Sequence, residues 1–238
     1  MSRARATVRS AKTYVQVLGW LFIAWVGVAT LRVIQHGFEL TIPSEGLDED
    51  AFEAYMLGAN GLAVINAGLF IATVVTFAMW MNRSNKIALS FSDMLRHGPN
   101  GWGWFFCPFA NLVVPYRAVK ELYTAARPAQ WVPGFFAAWW GTWIAAGVLS
   151  RLESRLALRD DPSTLSLGAG LALVAALLIM AAAILARKVV LAVYDAQELH
   201  PEPVSVTPPV SNHGILGAPT VGPDPYEERL DRELRAQG

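Results

Sequence analysis

The sequence predicts an all-α integral membrane protein: a bundle of four transmembrane helices, a central aromatic segment that re-enters the membrane or lies at its interface, and a disordered C-terminal tail. Three observations predict this class. Hydrophobic residues make up 54% of the 238 positions and charged residues 16%, where soluble chains carry roughly 25% charged. Four runs hold no Asp, Glu, Lys or Arg: residues 13–31, 54–82, 128–150 and 162–186, of 19, 29, 23 and 25 residues. Between the second and third lies GWGWFFCPFANLVVPYRAVKEL, residues 101–122, aromatic like a span yet interrupted by Pro108 and Pro115.

At about 1.5 Å per residue, each charge-free run reaches across a hydrocarbon core about 30 Å thick. In lipid such runs must be helical, because every backbone N–H and C=O has to be satisfied within the segment. The expected spans are residues 14–33, 57–81, 132–150 and 165–186, within a transmembrane domain of residues 14–200. Residues 1–13 form a basic arm carrying Arg3, Arg5, Arg9 and Lys12. A cleaved signal peptide is the competing reading of this start, since Gly27-Val28-Ala29 has the small-x-small form of a cleavage site. The apolar run is longer than a usual signal core and continues past that site, so a retained first helix is expected.

Orientation follows from the excess of Lys and Arg in short cytoplasmic loops. The connection FELTIPSEGLDEDAFEAYM has neither Lys nor Arg but six acidic residues, and is expected outside. The connection after the second span carries Arg83, Lys86 and Arg96 and is expected inside. Residues 102–116 as a helix cover only about 22 Å. If they dip in and return, 12 of the Lys and Arg residues up to Lys188 lie inside and 4 outside, against 10 and 6 if they cross. The four-span arrangement is therefore expected, in the cell membrane with both termini cytoplasmic.

Beyond Pro115 the pattern is helical. Leu112, Pro115, Tyr116, Val119, Leu122, Tyr123 and Ala126 form one stripe, with Arg117, Lys120, Glu121, Thr124 and Arg127 opposite. This predicts an interfacial helix in the membrane plane, its basic face toward water and headgroups, as the second half of a re-entrant or interfacial segment over residues 101–127. The competing reading is a helix packed on other helices.

The pattern W-x-x-R at Trp80 to Arg83, then GWGWFFCPFANLVVPYRAVKELY, resembles the bacterial membrane proteins grouped as domain of unknown function 4328. The motif positions are Trp80, Arg83, Gly101, Trp102, Pro108, Asn111 and Pro115, and the likeness runs over about residues 54–198, with a final span followed by a helix holding Gln197. Gly103 stands where a bulkier residue is common. The resemblance implies a multi-pass membrane protein and no particular activity.

Chemistry is sparse. The span interiors hold no ionisable residue, with Arg32 at the end of the first span, where it can snorkel. His36, His97, His200 and His213 are expected in loops or the tail as solvated residues, without metal-ligand spacing, and Cys107 is a lone cysteine. No catalytic residue, metal or cofactor is assigned, and no nucleic-acid partner is expected. Small residues recur at Ala59, Ala63 and Ala67, at Gly61, Gly68 and Ala72, and at Gly168, Ala172, Ala175 and Ala176; with Asn60 and Asn66 they read as helix-packing faces. Trp139, Trp140 and Trp143 read as an interface anchor, or alternatively a ligand-stacking platform. The binding candidates are Asn111, Pro115, Tyr116, Arg117 and Lys120: a helix N-terminus with two cations nearby suits an anionic headgroup, while Asn111 as a simple cap is the plainer alternative.

Residues 201–238 are proline-rich and expected to be disordered, with a short helix over 226–236 supported by i,i+4 pairs Glu228–Arg232 and Asp231–Arg235. The expected partners are membrane lipids, a cytoplasmic protein reached by this tail, and further copies of the chain. The functional expectation is a non-enzymatic membrane scaffold or interaction protein. The alternative is a channel or transporter for a small neutral solute using residues 102–111. A lipid-modifying enzyme lacks a paired acid and base.

Overall fold

The computed structural model describes residues 3–41, 48–90, 95–97, 103, 112–156 and 162–199. Among them are five helices and no strand: α1 (Arg3–Thr41), α2 (Glu49–Ala88), α3 (Val114–Ala126), α4 (Phe135–Leu156) and α5 (Pro162–Glu198). Gly101, Trp102, Cys107, Pro108 and Asn111, the re-entrant half of the central segment, and the tail with its expected short helix lie outside the described residues.

The long helices extend beyond the expected spans. At about 1.5 Å per residue the 39 residues of α1 and the 40 of α2 each run roughly 60 Å. The basic stretch after Arg3 is the first turns of α1, which continues unbroken through Gly27-Val28-Ala29. Asp48 begins α2 by accepting a hydrogen bond from the Ala51 backbone N–H at 2.8 Å, satisfying an otherwise orphaned donor. Glu49 and Asp50 in the first turn and Lys86 in the last match the helix dipole.

Three helices are long and apolar enough to cross a membrane, over Ala11–Thr41, Glu49–Ala88 and Ser166–Glu198. The 22-residue α4 is not in that set. Its length suffices, but three tryptophans and Thr142 dilute its apolarity, and Arg151, Glu153 and Arg155 fall in its last turns.

The packing order is α4, α5, α1, α2, with α5 between α4 and α1. Contacts fix the directions. Late α2 meets early α4 where Phe77 packs on Trp139, ring centroids 6.2 Å apart. It also meets late α5, where the Gln197 amide donates to the Ser84 carbonyl at 3.0 Å. Early α1 meets late α5, with Arg187 beside Gly19. The start of α1, the end of α2, the start of α4 and the end of α5 therefore share one end of the bundle.

The core is densest there. Leu18, Trp80, Met81, Val119, Leu122, Phe136, Val189 and Val193 are fully buried. Its third layer is α3, which begins with Pro115 in its first turn, where the missing N–H costs nothing. The buried face of α3 is Pro115, Ala118, Val119, Leu122, Tyr123 and Ala126. That corrects the interfacial picture. The apolar stripe faces α2, α4 and α5 rather than lipid, because the ends of those helices present an apolar surface on which it packs. Leu112, expected in the stripe, is 50% exposed.

Small residues do part of what the sequence suggests. Ala172, Ala175 and Ala176 are buried in α5, and Gly168 sits against Leu156 of α4, so the backbones approach closely. On α2, by contrast, Gly61, Ala63, Ala67, Gly68 and Ala72 are exposed, so that ridge is not buried against another described helix.

Docking of α3 gives a stability prediction. Leu122→Ala should cost about 2–5 kcal/mol and lower the melting temperature in detergent, whereas Leu112→Ala should leave it nearly unchanged. Equal, small shifts for both would mean that α3 is not part of the core.

Candidate functional site

The site is built from α3 outward. With one face locked in the core, the opposite face presents exposed Arg117 and Lys120 and half-buried Thr124 and Arg127, while half-buried Tyr116 packs at the edge of the core. The turn into α4 is tied to the helix: the Tyr123 hydroxyl donates to the Gln130 side-chain oxygen at 3.4 Å, and the Gln130 N–H donates to the Arg127 carbonyl at 3.1 Å. Tyr123 also packs on Phe136, centroids 5.3 Å apart, so the turn is pinned to the start of α4. Between turn and helix lies a groove of about 480 Å³ lined by Tyr116, Lys120, residues 128–134 and Ala137. On its rim Trp131 is 96% exposed. The groove thus brings a cation, Lys120, and an exposed aromatic ring, Trp131, onto one solvent-open surface.

Of the binding candidates, Tyr116, Arg117 and Lys120 are brought to this surface. Pro115 is buried and starts the helix, and Asn111 lies outside the described residues. Among the motif residues, Trp80 is fully buried in the core and Arg83 is half-buried, immediately before Ser84 of the Ser84–Gln197 bond. Glu121 is already engaged. Its carboxylate accepts from the His97 backbone N–H at 3.1 Å and lies 2.9 Å from the His97 ring nitrogen Nδ1, at an angle that forms no hydrogen bond. This ties residues 95–97 to α3.

Two expectations are corrected. The tryptophans of α4 do not form an interface anchor: Trp139 and Trp140 are 5% and 6% exposed. The Trp140 indole N–H donates to the Leu112 carbonyl at 2.8 Å, bracing the approach to α3, whereas Trp131 is exposed. His36 is not a loop residue but a buried residue of α1.

His36 belongs to a cluster that the sequence reading missed. Glu39 accepts from the Gln35 amide at 3.0 Å and from the Tyr55 hydroxyl, and His36 Nδ1 lies 2.7 Å from its other oxygen. Phe38 stacks on Tyr55 at 6.0 Å, and together these clamp the end of α1 to the start of α2. The i,i+3 and i,i+4 spacing of Gln35, His36 and Glu39 was a usable signal, had α1 been extended past residue 33. Among the described residues, no group of three His, Cys, Asp or Glu side chains could hold a metal ion.

An all-α bundle with three helices fit to cross a bilayer is the architecture of a helical membrane protein. The chain belongs to the family described as Domain of unknown function (DUF4328), whose model matches residues 44–195. The match spans α2, α3, α4 and nearly all of α5, whereas α1 lies before it and still contributes Leu18 and Trp25 to the core. No curated protein and no solved structure matches the chain.

The Glu121 tether is testable. In Glu121→Ala, residues 95–97 lose their acceptor, and trypsin should cleave at the exposed Arg96 several-fold faster in native protein, read by mass spectrometry of the fragments. Unchanged cleavage would show that Glu121 does not hold this connection.

Proposed function

We propose that this protein is a multi-pass, non-enzymatic component of the cell membrane that binds anionic lipid headgroups on α3 and serves as a scaffold for partners there. In this reading α4 is the fourth crossing, residues 101–111 re-enter rather than cross, and both termini are cytoplasmic. The positions of the helix ends support that topology, since the end of α2 and the start of α4 lie at the same end as α3.

One observation carries the binding reading: burial of the α3 stripe leaves Arg117 and Lys120 exposed on a fixed helix beside the fully exposed Trp131. Cations so placed are held at headgroup depth without paying the ordering cost of a flexible loop. The unpartnered small-residue ridge of α2, with exposed Asn60, supports self-association through that helix, and the tail is the proposed contact for a cytoplasmic protein. The alternative, a pathway for a neutral solute through residues 102–111, rests on a segment outside the described residues.

Thermal denaturation in detergent tests the headgroup reading. Added phosphatidylglycerol should raise the melting temperature more than phosphatidylcholine, and Arg117→Ala/Lys120→Ala should abolish the difference while keeping the lipid-free melting temperature. An equal response to both lipids in the wild type would refute it.

A further inference from the structure

A second recess lies deeper in the bundle. An apolar cleft of about 300 Å³ is lined from all four long helices, by Trp25 of α1, Phe77 of α2, Trp139 and Trp143 of α4, and Ala182 and Ala183 of α5 among others. Its volume is at the low end of the roughly 300–1,000 Å³ of ligand pockets. Among the described residues, none that lines it is charged.

Three polar side chains on its wall, those of Trp25, Thr73 and Trp140, are occupied by the protein itself. The Thr73 hydroxyl donates to the Leu69 carbonyl at 2.7 Å and accepts from the Trp25 indole N–H at 2.9 Å. The Trp140 indole N–H is spent on the Leu112 carbonyl. A polar solute entering here would lose its water and gain nothing from these three groups. A hydrocarbon chain loses nothing.

Two features choose the source of that chain. On α2 the cleft wall at Phe70 and Val74 adjoins the exposed apolar residues Ile71 and Val75, so the recess lies beside an exposed apolar face of a helix long and apolar enough to cross a membrane. On α4 it adjoins the basic groove: Ala137 lines the groove and Trp140 lines the cleft, one turn and about 4.5 Å further along the helix. Cationic Lys120 and Arg117 at one end and an apolar, aromatic-lined recess at the other complement the two parts of one anionic phospholipid.

We propose that the cleft takes part of an acyl chain of a bilayer phospholipid. The assignment of its headgroup to the Lys120 groove rests on the function proposed above; the tail site stands on the cleft itself. Full-length protein in proteoliposomes with phosphatidylglycerol carrying a mid-chain diazirine tests it, with crosslinked peptides mapped by mass spectrometry. Label should concentrate on residues 139–143 and 179–186, and Ala183→Phe, which fills the cleft, should lower it there about tenfold. If that variant fails to fold, the wild-type map decides alone. Label spread over exposed α2 positions such as Val64 and Ile71, or crosslinks joining two copies at the cleft, would overturn the tail site. Equal labelling by a phosphatidylcholine probe would refute only the headgroup assignment.

Discussion

Val119 and Leu122 of α3 share one buried core with Trp80 of α2, Phe136 of α4 and Val189 and Val193 of α5, and the rest of the architecture depends on that contact. Burying a large aliphatic or aromatic side chain is worth about 1.5–3 kcal/mol. The cluster therefore outweighs single hydrogen bonds such as Gln197 to Ser84, each worth about 1 kcal/mol. It gathers four helix ends at one level. It also turns the basic face of α3 outward, because a helix with one apolar stripe has no other way to dock.

Polar chemistry is distributed to suit that plan. At the α3 end, Gln197 and Asn85 are buried, with both amides donating to backbone carbonyls. At the other end the Gln35, Glu39 and Tyr55 clamp holds α1 to α2. Between them the bundle is lined by aromatics and alanines, and there the four long helices leave a cleft. Alanines let α5 approach its neighbours, but they do not fill the space opposite Trp139 and Trp143. The recess follows from the same small-to-large mismatch that permits close packing elsewhere.

Much of this was legible in the sequence. The charge-free runs located α1, α2 and α5, and the 3.6-residue period located α3, its buried face and its basic face. What that face packs against was not legible: an apolar stripe reads the same whether it meets lipid or protein, and only the apolar ends of α2, α4 and α5 decide between them. The same ambiguity misplaced Trp139 and Trp140, since a tryptophan's preference for interfaces yields to burial when its N–H finds a carbonyl. His36 was misread because the helix continues past the apolar run, where residue charge no longer marks its limit.

The start of α1 and α3 lie at the same end of the bundle, and the topology proposed above follows if that end is one side of the membrane. In a Cys107→Ser background, single cysteines at Lys120, Lys12 and Glu153 can be labelled with a membrane-impermeant maleimide in intact cells and in inverted vesicles. The account predicts that positions 12 and 120 label only in inverted vesicles and position 153 only in intact cells. Labelling of position 120 from the same side as 153 would contradict it.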